Sequence, residues 1–249
     1  MFVNAHFVKV DKDVKLEVLD WGGEGEYMVL LTGMGNSAHI FDDLAYQFTD
    51  KFHVLGITRR GFGLSSKPAQ GYDIKTRLAD DIKVLDHFNI VRAIFVGHSI
   101  AGVELSGLGA EFPDRVSKLV YLDAYDYGAS YFEMLQYQAY IPPMPAPRPT
   151  DGLSPQHMAT YSARVLGYRG AIADAWNTCY VKPNAHMGDP RSPPEISTAV
   201  LYGSGTAAFD RIKAPTLGFF AYPEEIPPYV EFLDLTPEQQ ENYKFFRQK

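Results

Sequence analysis

The chain has 249 residues, 46% of them hydrophobic and 21% charged, a composition typical of a folded globular protein and unlike that of a disordered one. The 23 Lys and Arg residues against 30 Asp and Glu residues give a formal net charge of −7. That balance argues against nucleic acid or an anionic membrane as the main partner, and the single cysteine excludes a disulfide framework within the chain.

Short apolar runs alternate with helical patterns through the first half of the chain. Two alternating segments within 1–26 predict strands at a sheet edge. Apolar runs predict further strands at 28–31, 53–57, 93–96 and 119–122, and helical spacing lies between them around 41–48, 78–85 and 101–112. This alternation predicts a mostly parallel sheet covered by helices on both faces. Active sites of such sheets lie at the carboxyl ends of the strands.

The regular alternation stops after Tyr125. Six prolines fall within 141–155, which excludes a continuous helix or strand there. An apolar run at 216–220 then predicts a return to the sheet. The sequence therefore predicts an α/β core made of 1–125 and 211–249, with 126–210 inserted as a helical cap over the carboxyl edge.

A serine stands between a predicted strand and a predicted helix, in the segment Val96-Gly97-His98-Ser99-Ile100-Ala101-Gly102. A sharp turn at that point needs small residues two positions to either side, and Gly97 and Ala101 supply them. The turn would expose the Ser99 hydroxyl at the N-terminus of the helix, where N–H groups and a partial positive charge favour a developing oxyanion. Ser99 is the candidate nucleophile.

Three segments together resemble the α/β-hydrolase family: Leu31-Thr32-Gly33-Met34-Gly35, Arg59-Arg60-Gly61-Phe62-Gly63-Leu64-Ser65, and Gly97-His98-Ser99-Ile100-Ala101-Gly102. The resemblance is to its capped, esterase-like members, which use no cofactor. It implies an eight-stranded, mostly parallel sheet and a catalytic triad in the chain order serine, acid, histidine. The serine at position 99 separates the chain from the dehalogenase and epoxide-hydrolase branches, which use Asp there.

Two backbone N–H groups are candidate oxyanion donors. One belongs to Ile100, the residue after the nucleophile, and the other to Met34, in the loop after the third predicted strand. The adjacent Arg59 and Arg60 are interpreted as forming ion pairs at the sheet edge rather than an anion site.

The candidate acid is Asp123, which ends the predicted strand at 119–122. The commoner place in the family lies after the following strand, where Glu224 and Glu225 stand, so these residues are alternative acids. A third interpretation is that Asp123 only accepts backbone hydrogen bonds at the strand end.

The base is not identified by sequence. The family places its histidine near the C-terminus, but no histidine follows His186. His98, His157 and His186 are weak candidates. We expect instead that the chain lacks the family's final strand and helix, together with the base.

These observations predict a serine hydrolase that cleaves carboxylic esters of small molecules through an acyl-enzyme on Ser99. The alternative is an inactive hydrolase-fold binding protein or a truncated remnant. No metal-ligand or phosphate-loop spacing is present, so no metal or cofactor is expected. The N-terminus has no secretory pattern and no apolar run could span a membrane, so a cytoplasmic location is expected. An uncovered strand at 216–220 also predicts a homodimer through the C-terminal sheet edge.

Overall fold

The computed structural model describes residues 3–124, 148–150, 157, 160–161, 194–205, 209–219 and 237. The described residues form one sheet of seven strands: β1 (Asn4–Asp11), β2 (Val14–Gly22), β3 (Glu26–Leu31), β4 (Phe52–Ile57), β5 (Ala93–His98), β6 (Val116–Leu122) and β7 (Thr216–Phe219). Their spatial order is β1-β2-β4-β3-β5-β6-β7. The pairs β1–β2 and β2–β4 are antiparallel, and every later pair is parallel. The mostly parallel α/β sheet predicted from sequence is confirmed.

Helices connect the strands. The α-helices are α1 (Asp42–Ala45), α2 (Ile74–His87), α3 (Ala101–Glu111) and α4 (Pro194–Tyr202). Short 3-10 helices occupy Ala38–Phe41, Pro113–Arg115 and Phe209–Arg211. At the start of α2 the Asp73 side chain accepts a hydrogen bond from the Thr76 N–H at 3.0 Å, which satisfies one of the free donors of the first turn.

One helix is shorter than its sequence pattern predicts. The apolar spacing of Phe41, Leu44 and Phe48 predicted a helix through position 48, but α1 ends at Ala45. The N–H groups of Gln47 and Phe48 bond three residues back, at 3.1 and 3.0 Å, instead of four. This tighter pattern ends the α-helix in a turn while leaving the apolar side chains on the sheet.

Apolar side chains cover both faces of the sheet. Along β3, Val29 and Leu31 join a core cluster with residues of α2 and α3, whereas Met28 and Leu30 join a second cluster with residues of α1. Alternate residues of a strand point to opposite faces, so one short apolar run contributes to both clusters. This double cover is the reason that the strands read as continuous apolar runs.

The chain divides into two compact units. The first contains 1–129 and 184–220, and the second contains 130–183 and 221–249. Helix α4, which the sequence analysis assigned to the cap, belongs to the first unit, where Ile196 and Val200 pack with Phe62 and Ile100. Most of the predicted cap, 126–210, lies outside the described residues, and its position over the sheet stays a prediction.

Candidate active site

Three neighbouring parallel strands bring the predicted site residues to one edge of the sheet. Leu31 at the end of β3 is in register with Gly97 of β5, and His98 is in register with Leu122 of β6. The segments that follow these strands therefore start side by side. The Ser99 N–H, directly after β5, donates a hydrogen bond to the Leu122 carbonyl at the end of β6 at 3.3 Å.

Ser99 adopts a backbone conformation that is unfavourable for most residues. Its φ is 56°, and among the described residues other than glycine only Asn89, Ser99 and Asp123 have a positive φ. Asparagine adopts this conformation readily, whereas for serine the conformation costs free energy. Gly97 allows the turn because a Cβ there would lie 2.9 Å from the Leu105 side chain and 3.0 Å from the Cβ of Ala101. The half-buried Ser99 thus stands on a tight strand-to-helix turn.

The loop after β3 forms a second tight turn beside Ser99. The Asn36 N–H donates to the Gly33 carbonyl at 3.4 Å, and Gly35 has a φ of 77°, which is the conformation that type II turns place at their third residue. The side chains of Met34 and Ile100 belong to one apolar cluster. The two candidate donors therefore lie on adjacent segments, and their role at an oxyanion stays a prediction.

His98 lies against this loop. A Cβ built on Gly33 would be 2.8 Å from His98 Nδ1, so the close approach requires glycine. Burial lowers the pKa of His98 and the negative charge of Asp123 partly opposes that shift, so the imidazole is neutral at pH 7. No hydrogen bond joins His98 to Ser99.

Asp123 follows β6 at the same edge. Its side chain is exposed, its φ is 44°, and its N–H donates to the Phe219 carbonyl of β7 at 2.6 Å. Its carboxylate acts on the charge of His98. The alternative acids Glu224 and Glu225 lie outside the described residues, as does His186. His157 is exposed and falls in the second unit. Which residue completes a triad with Ser99 therefore stays open.

A buried ionic cluster lies behind the site. Arg59 pairs with Glu104 of α3, and the neighbouring Arg60 pairs with Asp80 of α2. All four side chains are buried. The sequence prediction of ion pairs for the two arginines is confirmed, although both pairs are buried rather than superficial.

Sequence reasoning missed the other members of this cluster. Arg77 and Asp81 lie on the buried face of α2, and Glu104 lies on the buried face of α3. The signal was present, because charged residues interrupt the apolar spacing of α2 on the side that carries Leu78 and Leu85. A charge on an apolar helix face requires a buried partner.

Burial and neighbouring charges shift the pKa values of Glu104 and Asp81 in opposite directions. Burial alone would raise the pKa of Glu104, but the charge and hydrogen bonds of Arg59 and the charge of Arg77 lower that pKa below its usual value. Burial raises the pKa of Asp81 well above its usual value, and the charges of Glu104 and Asp80 raise it further. Burial also lowers the pKa of Arg77, to about 10. The arginine charges therefore favour the carboxylate form of Glu104, whereas burial and the charges of Glu104 and Asp80 shift Asp81 towards its protonated form.

Other features of the described residues point to no second centre. No group of three or more His, Cys, Asp or Glu among them could hold a metal ion. None of the described helices is long and apolar enough to span a bilayer. A cavity of about 510 Å³ lies between α2, α3 and the segment around Ser204 and Arg211, and none of the four predicted site residues lines it.

Comparison with known proteins identifies relatives of the chain. The sequence profile of the α/β hydrolase fold matches residues 26–168. The chain is 34% identical over 103 residues to 2-(acetamidomethylene)succinate hydrolase of Mesorhizobium japonicum, a match that covers 41% of this chain and 36% of that protein. It is 29% identical over 110 residues to 3-oxoadipate enol-lactonase 2 of Acinetobacter baylyi, with 44% and 41% covered. The chain thus spans well under half of the length of these relatives.

A solved structure shares the fold. The crystal structure of E-2-(acetamidomethylene)succinate hydrolase superposes with a TM-score of 0.66 at 20% identity, covering 87% of this chain and 80% of that one. At that identity the likeness concerns the fold alone. The profile covers more than half of the chain and includes both tight turns, so the chain belongs to the α/β hydrolase fold family.

Proposed function

We propose that the protein is a serine hydrolase that cleaves carboxylic ester bonds of small molecules, with Ser99 as nucleophile. The observation that carries the proposal is the positive φ of Ser99 on the turn between β5 and α3. Strained conformations of non-glycine residues cost free energy and persist where the surrounding structure enforces them, most often at functional sites.

The chemistry follows from the position of the turn. Ser99 Oγ attacks the ester carbonyl, the carbonyl oxygen becomes an anion, and the alcohol leaves with a proton, so that the acyl group is bound to Oγ. Water then releases the acid and restores the hydroxyl. The N–H groups of Met34 and Ile100 are proposed to hold the anion, and each such donor stabilises a transition state by about 2.7–4 kcal/mol.

The acid in this proposal is Asp123. It lies one strand away from Ser99, at the same sheet edge, and its charge already acts on a neighbouring imidazole. A carboxylate at this point can orient a histidine and stabilise its protonated form during catalysis. The substrate class rests on the 3-oxoadipate enol-lactonase among the relatives, since an enol-lactone is a cyclic ester.

The alternative function is binding without turnover. It is favoured by one observation: none of the five histidines described in the first unit hydrogen-bonds to Ser99. His39 and His53 bond instead to Asp42 and Asp20, at 3.0 and 2.9 Å. Without a base the hydroxyl stays protonated and is a weak nucleophile.

One experiment separates the two functions. The rate of p-nitrophenyl acetate and butyrate hydrolysis is measured for the wild-type chain, for Ser99→Ala and for Ser106→Ala. Ser106 is a matched control on the same helix, since its hydroxyl is buried and bonds to the Gly102 carbonyl and the Tyr121 hydroxyl. The proposal expects Ser99→Ala to lose the activity and Ser106→Ala to keep it. Equal rates for the wild type and Ser99→Ala would leave the binding protein.

A further inference from the structure

Two adjacent arginines make ion pairs of the same type. Arg59 Nε donates to Glu104 Oε1 at 2.6 Å, and its Nη2 donates to Oε2. Arg60 Nε and Nη2 donate to the two oxygens of Asp80 at 2.6 and 2.8 Å. Each pair is bidentate and almost wholly buried. Paired donors of this kind fix the orientation of both side chains as well as their separation.

Of the two arginines, Arg59 makes a further hydrogen bond. Arg59 Nη2 also donates to the backbone carbonyl of Thr32 at 2.9 Å. Thr32 directly follows β3 and begins the loop that carries Met34, and Glu104 lies in the first turn of α3. A single guanidinium thus joins the loop of one candidate oxyanion donor to the helix of the other.

The pair of Arg59 and Glu104 is charged and shielded from water. The side chains of Arg59 and Glu104 are only 6% and 3% exposed. Electrostatic attraction is far stronger at low dielectric than in water. A second positive charge also attracts Glu104, because Arg77 Nη1 lies 3.6 Å from Glu104 Oε1.

A gain in stability is a weak explanation for the pair. The desolvation of two buried charges offsets most or all of their attraction, and apolar residues of similar volume often serve as well. What an apolar pair cannot supply is a donor for the Thr32 carbonyl. The hydrogen bond to the Thr32 carbonyl, which Arg59 makes and Arg60 does not, therefore acts on the position of the loop.

We propose that Arg59 and Glu104 are positioning residues, which hold the Met34 loop against the start of α3 so that both backbone donors face one oxyanion. The inference rests on the proposed function for its catalytic consequence. Neither side chain touches the substrate. Their effect is on the separation of the two donors, and a displacement of about 1 Å in such a site costs about 100-fold in rate.

The test compares two double variants. Arg59→Met with Glu104→Leu removes both partners of the pair together with the bond to Thr32, and Arg77 keeps its hydrogen bond to Ser204 Oγ at 2.9 Å. Arg60→Met with Asp80→Val removes the neighbouring pair and touches no part of the loop. We measure kcat and KM for p-nitrophenyl acetate, and urea unfolding reports the global stability of each variant.

The expected result is a split between the two variants. The Arg59 variant should lose about 100-fold in kcat, with KM changed by less than about threefold, because an interaction acting only in the transition state is removed. The Arg60 variant should keep kcat within about threefold of the wild-type value. Equal losses of kcat in both variants, at equal stability, would overturn the inference.

A second measurement does not depend on turnover. Hydrogen exchange is followed by mass spectrometry in peptides that cover 32–37. The Arg59 variant should exchange there about 10- to 100-fold faster, in line with the loss of one charge-assisted hydrogen bond, and the Arg60 variant should not. If the wild-type chain shows no Ser99-dependent hydrolysis, the proposed function fails, while unchanged exchange in the Arg59 variant would still refute the positioning role.

A single conservative variant guards against misfolding. Arg59→Lys keeps the positive charge beside Glu104 but has no planar fork to reach both the carboxylate and the Thr32 carbonyl. It should fold and show a smaller version of the same kcat loss and faster exchange. Wild-type values in Arg59→Lys for both measurements would show that the charge alone suffices and that the bond to the loop has no positioning role.

Discussion

The carboxyl edge of the sheet has a braced side and an open side. Behind the turns after β3 and β5 lie the fully buried Phe62 and the Arg59–Glu104 pair. At β7 all four residues are exposed, and Leu217 and Phe219 remain 53% and 57% accessible. Both sides have the same parallel backbone pairing. Backbone pairing alone therefore does not bury side chains, and the difference comes from the helices and loops that cover each strand.

The largest expected effect is on the free energy of unfolding, which should fall for a truncation on the braced side and change little for one on the open side. Phe62→Ala should lower the free energy of unfolding by about 3–5 kcal/mol, because it opens a cavity in a filled core. Leu217→Ala on β7 should change it by less than about 0.5 kcal/mol, as for an ordinary surface position. Urea unfolding of both variants provides the measurement. A loss of several kcal/mol for Leu217→Ala would show that β7 is covered and would remove the distinction.

A smaller effect is expected within the braced side. Gly33→Ala places a methyl group 2.8 Å from His98 Nδ1 and should destabilise the fold by about 1–3 kcal/mol, the usual cost of overpacking. The double variant Gly33→Ala with His98→Ala makes room for that methyl group. A double-mutant cycle by urea unfolding should give a favourable coupling of about 0.5–3 kcal/mol. Strict additivity would mean that the two residues are not in contact.

The ionic cluster should give the braced side a pH dependence. The folded-state pKa of Asp81 lies above its unfolded value of 3.8, so folded Asp81 retains its proton when the unfolded chain has lost it. Asp81 therefore costs stability progressively as the pH rises above 3.8, up to its folded pKa. Asp81→Asn mimics the protonated form, and we expect it to raise the urea midpoint at pH 7 with no gain at pH 3.5. The control is Asp114→Asn, an exposed position where we expect less than about 0.5 kcal/mol at either pH.

The open side leads to the smallest and least direct effect, on association. The homodimer predicted from the sequence would form through β7, and it stays a proposal. Light scattering at micromolar concentration should give about twice the 27.9 kDa mass of one chain. Phe219→Lys should restore the monomer, whereas Val91→Lys, at a position 80% exposed elsewhere on the surface, should not. A monomeric wild-type chain would contradict the proposal.

The strands of the sheet were predictable because burial on both faces leaves a plain apolar signal. The runs around Val29 and Phe95 match β3 and β5 closely. Helix α1 was overestimated because apolar spacing does not distinguish an α-helix from a series of tighter turns that place Phe48 on the same side. Strand pairing depends on many residues at once, so an error in the length of one helix does not change the predicted sheet.

The site was predictable only where backbone geometry restricts residue type. Gly97 marks the turn at Ser99 because a Cβ there would lie 2.9 Å from the Leu105 side chain and 3.0 Å from the Cβ of Ala101. The Arg59–Glu104 pair gave no such signal. Its residues are 45 positions apart, and nothing in a single sequence says which buried charges meet. Long-range electrostatic partners need the fold before they can be assigned.

The left-handed backbone at Ser99 has a consequence for evolution of the chain in the laboratory. Glycine adopts a φ of 56° with little strain, whereas serine bears a cost of about 1–2 kcal/mol there. Ser99→Gly should therefore melt at a higher temperature than Ser99→Ala. A library selected for heat resistance alone would accumulate glycine at position 99, so that its most stable members would lack the proposed nucleophile.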